Sequence, residues 1–381
     1  MSLRFPCAVF AAIVLAACGD TGHQAASGTP TRPSPGASPT PAPPYGVFVK
    51  DFFVGKNGYQ VFLVRADGTV AASVTARNRS YGGGLPDLPV VSISSDRVYY
   101  LDGGADVRYL ANRKAPGGLA YQIPVKTNQI ATFAVSPDDL RIAYTLIDYS
   151  TKPAGMRLFV DDLAGGKLND LFSSTSIYEW PVGWQQGHLV LAVSTRGQVQ
   201  NAGEWFMDSS GFHIADAATA TRLASICADI GSSTPFPISS WGTPCSVITP
   251  TNGVSKGDYS VVSWDGVKKP VLAQDSCSAT GPPSPDGALV AVQGSDRVCK
   301  GTANDRLRLV AFDGSVETSA GVGTPLGWFD NTHLVFQADL PAASSLSPSA
   351  APIFIAAVGS SSSVQVAVTG LFVGTVPAAS S

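Results

Sequence analysis

From Tyr45 onward, the apolar residues fall into many short runs in which apolar and polar positions alternate. The runs are bounded by Gly, Asp and Pro, and no helical period extends beyond about three turns. A period of two places successive side chains on opposite faces of a sheet. The pattern therefore predicts an all-β domain over residues 45–381.

Three Asp-Gly pairs separate neighbouring apolar runs and predict β-hairpins. They are Asp67-Gly68, Asp265-Gly266 and Asp313-Gly314. A two-residue hairpin of type I′ needs positive φ at both central residues, and Asp-Gly is a preferred pair for it. We therefore expect type I′ turns at these three places.

A longer repeat groups the strands in fours. The clearest unit begins at Ile130, with one strand, the turn Ser136-Pro137-Asp138-Asp139, two further strands, a Gly165-Gly166 turn and a last edge strand. A second copy begins near Gly281 and has the turn Ser284-Pro285-Asp286-Gly287. Several four-stranded units of similar length indicate a repeat architecture.

The Ser-Pro-Asp-Gly turn, followed by a short apolar strand and a later hairpin, resembles the WD-type repeats of TolB-like β-propellers. In such a turn Pro presets φ, Asp caps main-chain amides and Gly takes the left-handed position. Other units match the motif less fully. One has Ser-Ser-Asp, ending at Asp96, in place of Ser-Pro-Asp. Two others lack Ser-Pro-Asp but keep a Gly-Trp pair at the start of the unit, at Trp184 and Trp328. The resemblance implies a ring of four-stranded blades.

Six unit starts are visible along the chain, near Pro89, Ile130, Ile177, Pro237, Thr280 and Val322. The strands that precede the first start, and one strand at 370–376, belong to none of these six units. We expect these two ends to complete a seventh blade together, which would leave the ring without an open edge. A ring of six blades is the alternative.

The N-terminus carries a signal for export. Arg4 precedes an apolar core that is too short to span a bilayer. Leu15-Ala16-Ala17-Cys18 then resembles the lipobox of bacterial lipoproteins, which implies cleavage of a signal peptide 1–17 and acylation of Cys18 with diacylglycerol and palmitate-type chains. An ordinary secretory signal is the alternative.

Residues 18–44 predict a tether between the lipid and the domain. Thr29 to Pro44 contains seven prolines and no apolar periodicity. Polyproline II rises about 3.1 Å per residue, so the whole stretch from Gly19 to Pro44 would extend to roughly 80 Å. We therefore expect an extracytoplasmic protein held to a bacterial membrane, with the membrane and the leaflet left open.

Four cysteines remain in the domain, Cys227, Cys245, Cys277 and Cys299. An even number in an exported chain indicates disulfides. Three pairings are possible, and Cys227 with Cys245 and Cys277 with Cys299 close the shortest loops. Zinc-type spacing is missing, and we expect no metal and no cofactor.

Charge and motifs narrow the function. The net charge of −3 and the 14% of charged residues argue against nucleic acid as a partner, which would need clustered Lys and Arg. No nucleophile elbow, metalloprotease motif or phosphate-binding loop occurs. Glu is found only at 179, 204 and 317, and most Asp residues lie in turns. His188 and His333 stand at equivalent places in their units, which favours a structural role.

Tyr178, Glu179 and Trp180 form the one aromatic and acidic segment with a possible binding role, at the start of a unit. An aromatic surface with a carboxylate suits a sugar or a peptide. The alternative is packing between blades, which we favour for the nearby Trp184.

The sequence favours a non-enzymatic binding or scaffold module that docks an envelope protein or a cell-wall glycan. An envelope glycan hydrolase or lyase with Asp residues on one face is the alternative. Two or more Asp, Arg or His side chains that converge in the central channel would distinguish the enzyme.

Overall fold

The computed structural model describes residues 44–51, 57–79, 90–111, 116–195, 211–227, 239–251, 254–271, 278–294, 306–313, 315, 317–338 and 351–376. The described residues form 27 strands and no helix. Accordingly, no helix in these ranges is long and apolar enough to cross a membrane.

The strands form seven antiparallel sheets, which are the blades of a β-propeller. Blade 1 contains β1 (Tyr45–Lys50), β2 (Gly58–Val64), β3 (Val70–Arg77) and β27 (Leu371–Val376). Blade 2 contains β4 (Val91–Ile93), β5 (Arg97–Asp102), β6 (Asp106–Ala111) and β7 (Pro116–Gln122). Blade 3 contains β8 (Gln129–Val135), β9 (Arg141–Asp148), β10 (Gly155–Asp162) and β11 (Asn169–Ser174). Blade 4 contains β12 (Ile177–Gln185), β13 (His188–Thr195), β14 (Gly211–Ala215) and β15 (Arg222–Ile226).

The remaining three blades follow in chain order. Blade 5 contains β16 (Gly242–Thr251), β17 (Val254–Ser263) and β18 (Lys268–Pro270). Blade 6 contains β19 (Ser278–Pro283), β20 (Leu289–Gly294), β21 (Arg306–Ala311) and β22 (Glu317–Val322). Blade 7 contains β23 (Thr324–Asp330), β24 (His333–Gln337), β25 (Ile353–Ala357) and β26 (Ser363–Gln365).

The two ends of the chain close the ring in blade 1. The strand order there is β27-β1-β2-β3, and Tyr45 pairs with Val376 in an antiparallel ladder. Strand β27 neighbours β23 on one side and β4 on the other, which places it at the centre of the ring. The prediction of seven blades, with both ends in one of them, is confirmed.

Blade 5 shows three strands among the described residues. Trp264 N donates to Trp241 O at 3.1 Å, as Leu163 N donates to Leu140 O at 2.7 Å in blade 3. Strands β16, β17 and β18 therefore correspond to the second, third and fourth strands of the other blades. The unit starts predicted near Pro89 and Pro237 lie outside the described residues.

The Ser-Pro-Asp turns are built as expected. In blade 3, Ser136 Oγ donates to Asp138 Oδ1 at 2.5 Å, and Leu140 N donates to the same oxygen at 3.2 Å. Asp139 and, in blade 6, Gly287 take the left-handed position at φ +58° and +65°.

The Asp67-Gly68 and Asp265-Gly266 hairpins are present, but the predicted turn type is wrong at both, and Gly314 of the third pair lies outside the described residues. Gly68 N donates to Arg65 O and Arg65 N donates to Thr69 O, both at 2.9 Å, and only the glycine of Asp67-Gly68 has positive φ. This is a type I turn followed by a bulged glycine, and Gly266 repeats it. The carboxylate of Asp67 accepts Thr69 N at 2.9 Å, which stabilises the turn without positive φ at the Asp.

Antiparallel pairing gives the ring two distinct faces. The connections from first to second and from third to fourth strand lie on one side, which we term the turn face; it carries Ser136, Gly68 and Gly287. The other connections form the loop face, which carries Lys126 and Thr151. The apolar core lies between neighbouring blades, where Ile147 of blade 3 packs in one cluster with Trp180 of blade 4.

Candidate functional site

A central channel of about 370 Å³ opens among the inner strands. Its walls come from the ends of β4, β8, β12, β19, β23 and β27 near the turn face, together with Ser239, Ser240 and Trp264 of blade 5. Six blades direct their described first strand at the axis, and blade 5 contributes Ser239 and Ser240, which precede β16, and Trp264, which follows β17.

The channel walls are apolar and hydroxyl-bearing. Ser92, Ser94 and Thr375 supply hydroxyl groups, and Val182 and Phe372 supply apolar surface. Among the described lining residues there is no Asp, Glu, His, Lys or Arg. General acid and base chemistry needs such groups within hydrogen-bonding distance of a reacting atom.

The tryptophans at the channel are fixed by hydrogen bonds between strands. Trp184 Nε1 donates to Ala134 O at 3.2 Å, and Trp328 Nε1 donates to Pro282 O at 2.9 Å. Both acceptors lie in the preceding blade. The hydrogen bond of Trp184 supports the role that the sequence favoured for it, packing between blades.

The predicted ligand segment lies inside the protein. Tyr178 and Trp180 are 0% exposed and Glu179 is 1% exposed. The Tyr178 hydroxyl donates to Ala154 O of blade 3 at 2.8 Å. Two buried rings offer no open face to a sugar or a peptide, so a ligand at this place would have to displace the packing between blades.

Glu179 is the anion of a charge cluster that the sequence did not reveal. Its Oε1 atom accepts hydrogen bonds from Arg222 Nη2 at 2.7 Å and from Arg222 Nε at 2.9 Å, and it lies 2.6 Å from His213 Nδ1. The Arg222 guanidinium lies 4.5 Å over the ring of Phe172 in blade 3. The buried carboxylate therefore holds β12, β14 and β15 of blade 4 together, and Arg222 joins this cluster to blade 3.

The other body histidines begin second strands, as their equivalence in the sequence indicated. His188 starts β13 and His333 starts β24. His333 Nδ1 lies 2.9 Å from Asp330 Oδ1 in the preceding turn. Within the described ranges, no three His, Cys, Asp or Glu side chains come together in a way that would hold a metal ion.

A second and larger cavity, the third-blade cleft, lies on the side of blade 3. It has a volume of about 780 Å³ and opens toward the loop face. Tyr144, Leu146 and Asp148 of β9 line it together with Arg157 and Phe159 of β10. These residues share one face of the sheet because Arg157 is paired with Leu146 and Phe159 with Tyr144.

A pair of carboxyl groups lies on the turn face between blades 2 and 3. A hydrogen bond to Asp139, together with partial burial and the charge of that carboxylate, raises the pKa of Asp96. Tyr99 Oη donates to Asp139 Oδ1 at 2.9 Å. Arg97 Nε lies 3.7 Å from Asp96 Oδ1 and 3.8 Å from Asp139 Oδ2.

A disulfide joins Cys227, which follows β15 of blade 4, to Cys245 in β16 of blade 5, with the two Cα atoms 5.6 Å apart. This is one of the two pairings that the spacing favoured. Cys277, Cys299 and the predicted lipid site Cys18 lie outside the described residues.

No protein-family model and no curated protein matches the sequence. Among solved structures, an oligogalacturonate lyase from Vibrio parahaemolyticus superposes with a TM-score of 0.53 at 10% identity, over 83% of this chain and 92% of that chain. The β-propeller domain of the Trilobed protease from Pyrococcus furiosus gives a TM-score of 0.42 at 11% identity, over 83% and 84%. At this identity the likeness to the lyase concerns the fold alone, which is a β-propeller.

Proposed function

We propose that the chain is an exported lipoprotein that presents its propeller at the cell envelope as a non-enzymatic binding module. The lipobox-like segment ending at Cys18 supports acylation there, and the proline-rich segment 18–44 supports a tether. Its partner would be an envelope protein or a glycan, and its anchor the lipid on Cys18.

The observation that carries the binding role is the central channel. Enzymes need groups that accept, donate or stabilise charge at the reacting atom. The described channel lining offers hydroxyl groups and apolar surface in their place, and Trp184 and Trp328 are held in hydrogen bonds between blades. Such walls suit recognition by shape and by neutral hydrogen bonds.

The lipoprotein proposal is tested by intact-mass and detergent-partition measurements on the full gene product from a bacterial host. We expect loss of residues 1–17, a gain of diacylglycerol and acyl mass, and partition into detergent. Cys18→Ala abolishes all three, whereas Cys7→Ala leaves the mature protein unchanged because that cysteine leaves with the signal peptide. An unlipidated product that partitions into the aqueous phase would refute the anchor.

The second candidate is an envelope glycan hydrolase or lyase, and the Asp96 and Asp139 pair favours it. Two neighbouring carboxyl groups of which one holds its proton more tightly are a common acid and base arrangement. The solved oligogalacturonate lyase shares the fold. If this candidate holds, wild-type protein releases soluble sugar from envelope glycan, Asp139→Asn does not, and Asp265→Asn, a change in an exposed turn, behaves as wild type.

A further inference from the structure

The third-blade cleft has the size and depth of a ligand site. Its volume of about 780 Å³ falls within the range of small-ligand cavities, roughly 300–1,000 Å³. The floor is formed by the aromatic rings of Tyr144 and Phe159, which are 0% and 6% exposed. Toward the loop face the lining becomes polar, with hydroxyl groups from Thr151, Ser173 and Thr175.

The acidic and amide groups at the rim are already occupied. Asp148 accepts Ser150 N at 2.8 Å and Ser150 Oγ at 2.5 Å through one oxygen, and Gln129 Nε2 at 2.9 Å through the other. Gln129 Oε1 in turn accepts Lys126 N at 3.0 Å. These bonds fix the loop before β8 and leave the carboxylate little capacity for a ligand.

Two cations, Lys126 and Arg157, line the cleft. Lys126 is exposed in the loop before β8 and makes no direct ion pair with any described residue. Arg157 on β10 is 57% exposed and bonds Asp170 through Nη2. A guanidinium has five N–H donors, so several stay free beside that one bond. The rim therefore offers two cations and several hydroxyl groups, and an anionic ligand would share Arg157 with Asp170.

The cleft floor favours a sugar over an extended peptide. Strand β9 is hydrogen-bonded to β8 and β10, and β10 to β9 and β11, so the floor has no free main-chain ladder. An added peptide strand needs such a ladder. A glycan is recognised by side chains that donate and accept, as Ser173 and Thr175 do.

We propose that the third-blade cleft binds a carboxylate-bearing glycan, with Lys126 and Arg157 pairing the carboxylate and the hydroxyl side chains bonding the sugar ring. This inference rests on the proposed role as a binding module and adds to the central channel a second binding site with its own ligand class. The carboxylate has two possible sources, the lactyl group of a muramic acid or the C6 carboxyl of a uronic acid. Both would meet the same two cations.

The test is calorimetric titration of the full-length protein in detergent with four probes. They are the disaccharide of N-acetylglucosamine and N-acetylmuramic acid, tetragalacturonate, N,N′-diacetylchitobiose (here chitobiose) as the uncharged counterpart of the first, and a hexaglutamate peptide. We expect one or both acidic sugars to bind about tenfold more tightly than chitobiose, since a charge-assisted hydrogen bond contributes about that factor. The sugar that binds identifies the carboxylate source.

Variants locate the site. Lys126→Gln and Arg157→Gln should each weaken the acidic sugar several-fold, and Arg157→Lys should recover part of the loss. Lys268→Gln removes an exposed cation from blade 5 and should change nothing. Lys126→Gln is the safer variant for folding because only its main-chain amide bonds the neighbouring structure.

Four results would overturn the inference. Equal affinity for acidic and neutral sugars would show that the carboxylate is not recognised. Tighter binding of hexaglutamate than of any sugar would show that the ligand is not a glycan. Undiminished sugar binding in both variants places the glycan elsewhere and leaves the binding module standing. Absence of binding to every probe refutes the ligand class, while the lipid anchor is decided separately by the mass of the Cys18 product.

Discussion

Trp184 in blade 4 and Trp328 in blade 7 make the same hydrogen bond at two places on the ring. Each indole Nε1 donates to a main-chain oxygen in the first strand of the preceding blade, Ala134 O or Pro282 O. Both rings are nearly buried, at 9% and 5% exposed. The bond therefore belongs to the repeat, and it joins successive blades beside the channel.

Trp184→Phe should lower the free energy of unfolding by about 1–3 kcal/mol, because the buried carbonyl of Ala134 loses its indole donor. Trp328→Phe should cost a similar amount for the same reason. Urea denaturation followed by circular dichroism measures both values. Unfolding midpoints identical to that of wild type would show that these bonds add nothing to the ring.

Gly287→Ala should destabilise the protein more than Gly266→Ala. Both glycines have positive φ, +65° and +84°, which costs an alanine about 1 kcal/mol. An added Cβ at Gly287 would also lie 2.2 Å from Trp241 Nε1, whereas nothing lies within 4 Å of one at Gly266. Displacing the Trp241 ring adds about 1–3 kcal/mol.

The Gly266 variant is the control that separates backbone strain from the clash. Thermal melts of both variants are compared with wild type at equal protein concentration. Equal shifts of the melting temperature in the two variants would mean that Trp241 moves aside without cost.

Replacing both Cys227 and Cys245 by Ser should cost about 3 kcal/mol of stability, because the disulfide closes a loop of 18 residues in the unfolded chain. Reduction of the wild-type protein should reproduce part of that loss. Mass mapping of non-reduced peptides checks the pairing. A Cys227 peptide linked to Cys277 or Cys299 would contradict it.

Stability should fall as the pH drops below about 4, and Asp148 should contribute to that fall. Hydrogen bonds from Ser150 and Gln129, with the charge of Lys126, lower the pKa of its carboxyl group below the ordinary value. As the pH falls, the carboxyl group therefore takes up a proton in the unfolded chain before it does so in the folded protein. The stability that Asp148 contributes is complete above its ordinary pKa and is lost as the pH falls through its lower pKa in the folded protein.

Asp148→Asn should flatten this part of the profile, as measured by urea denaturation at a series of pH values between about 2.5 and 6. Asp265→Asn serves as the matched change in an exposed turn. A variant with the same acid slope as wild type would show that Asp148 has no part in it.

The repeat was predictable because its turns carry their own chemistry. Ser136 and Ser284 begin turns whose Pro, Asp and left-handed residue each have a local reason, so short sequence windows locate the blades. The type of the Asp67-Gly68 turn was not predictable in the same way. Type I′ and the bulged type I turn both accept Asp-Gly, and the twist of the flanking strands selects between them.

The charged groups were harder to place because their partners are remote in sequence. Glu179 bonds Arg222, 43 residues later, on another strand of the same blade. Asp96 meets Asp139 across two blades. The walls of the third-blade cleft come from a loop and from the face of a sheet. No spacing rule connects such positions until the blades are in their places.

The innermost strand of blade 1, β27, comes last along the chain among the described strands, while β1, β2 and β3 come first. The edge of β1 that pairs with β27 must wait, unpaired, while six other blades are synthesised. An unpaired edge invites pairing with other chains. The ring can therefore close only after the strands of all seven blades have been synthesised, and the edge of β1 needs protection from other chains for longest.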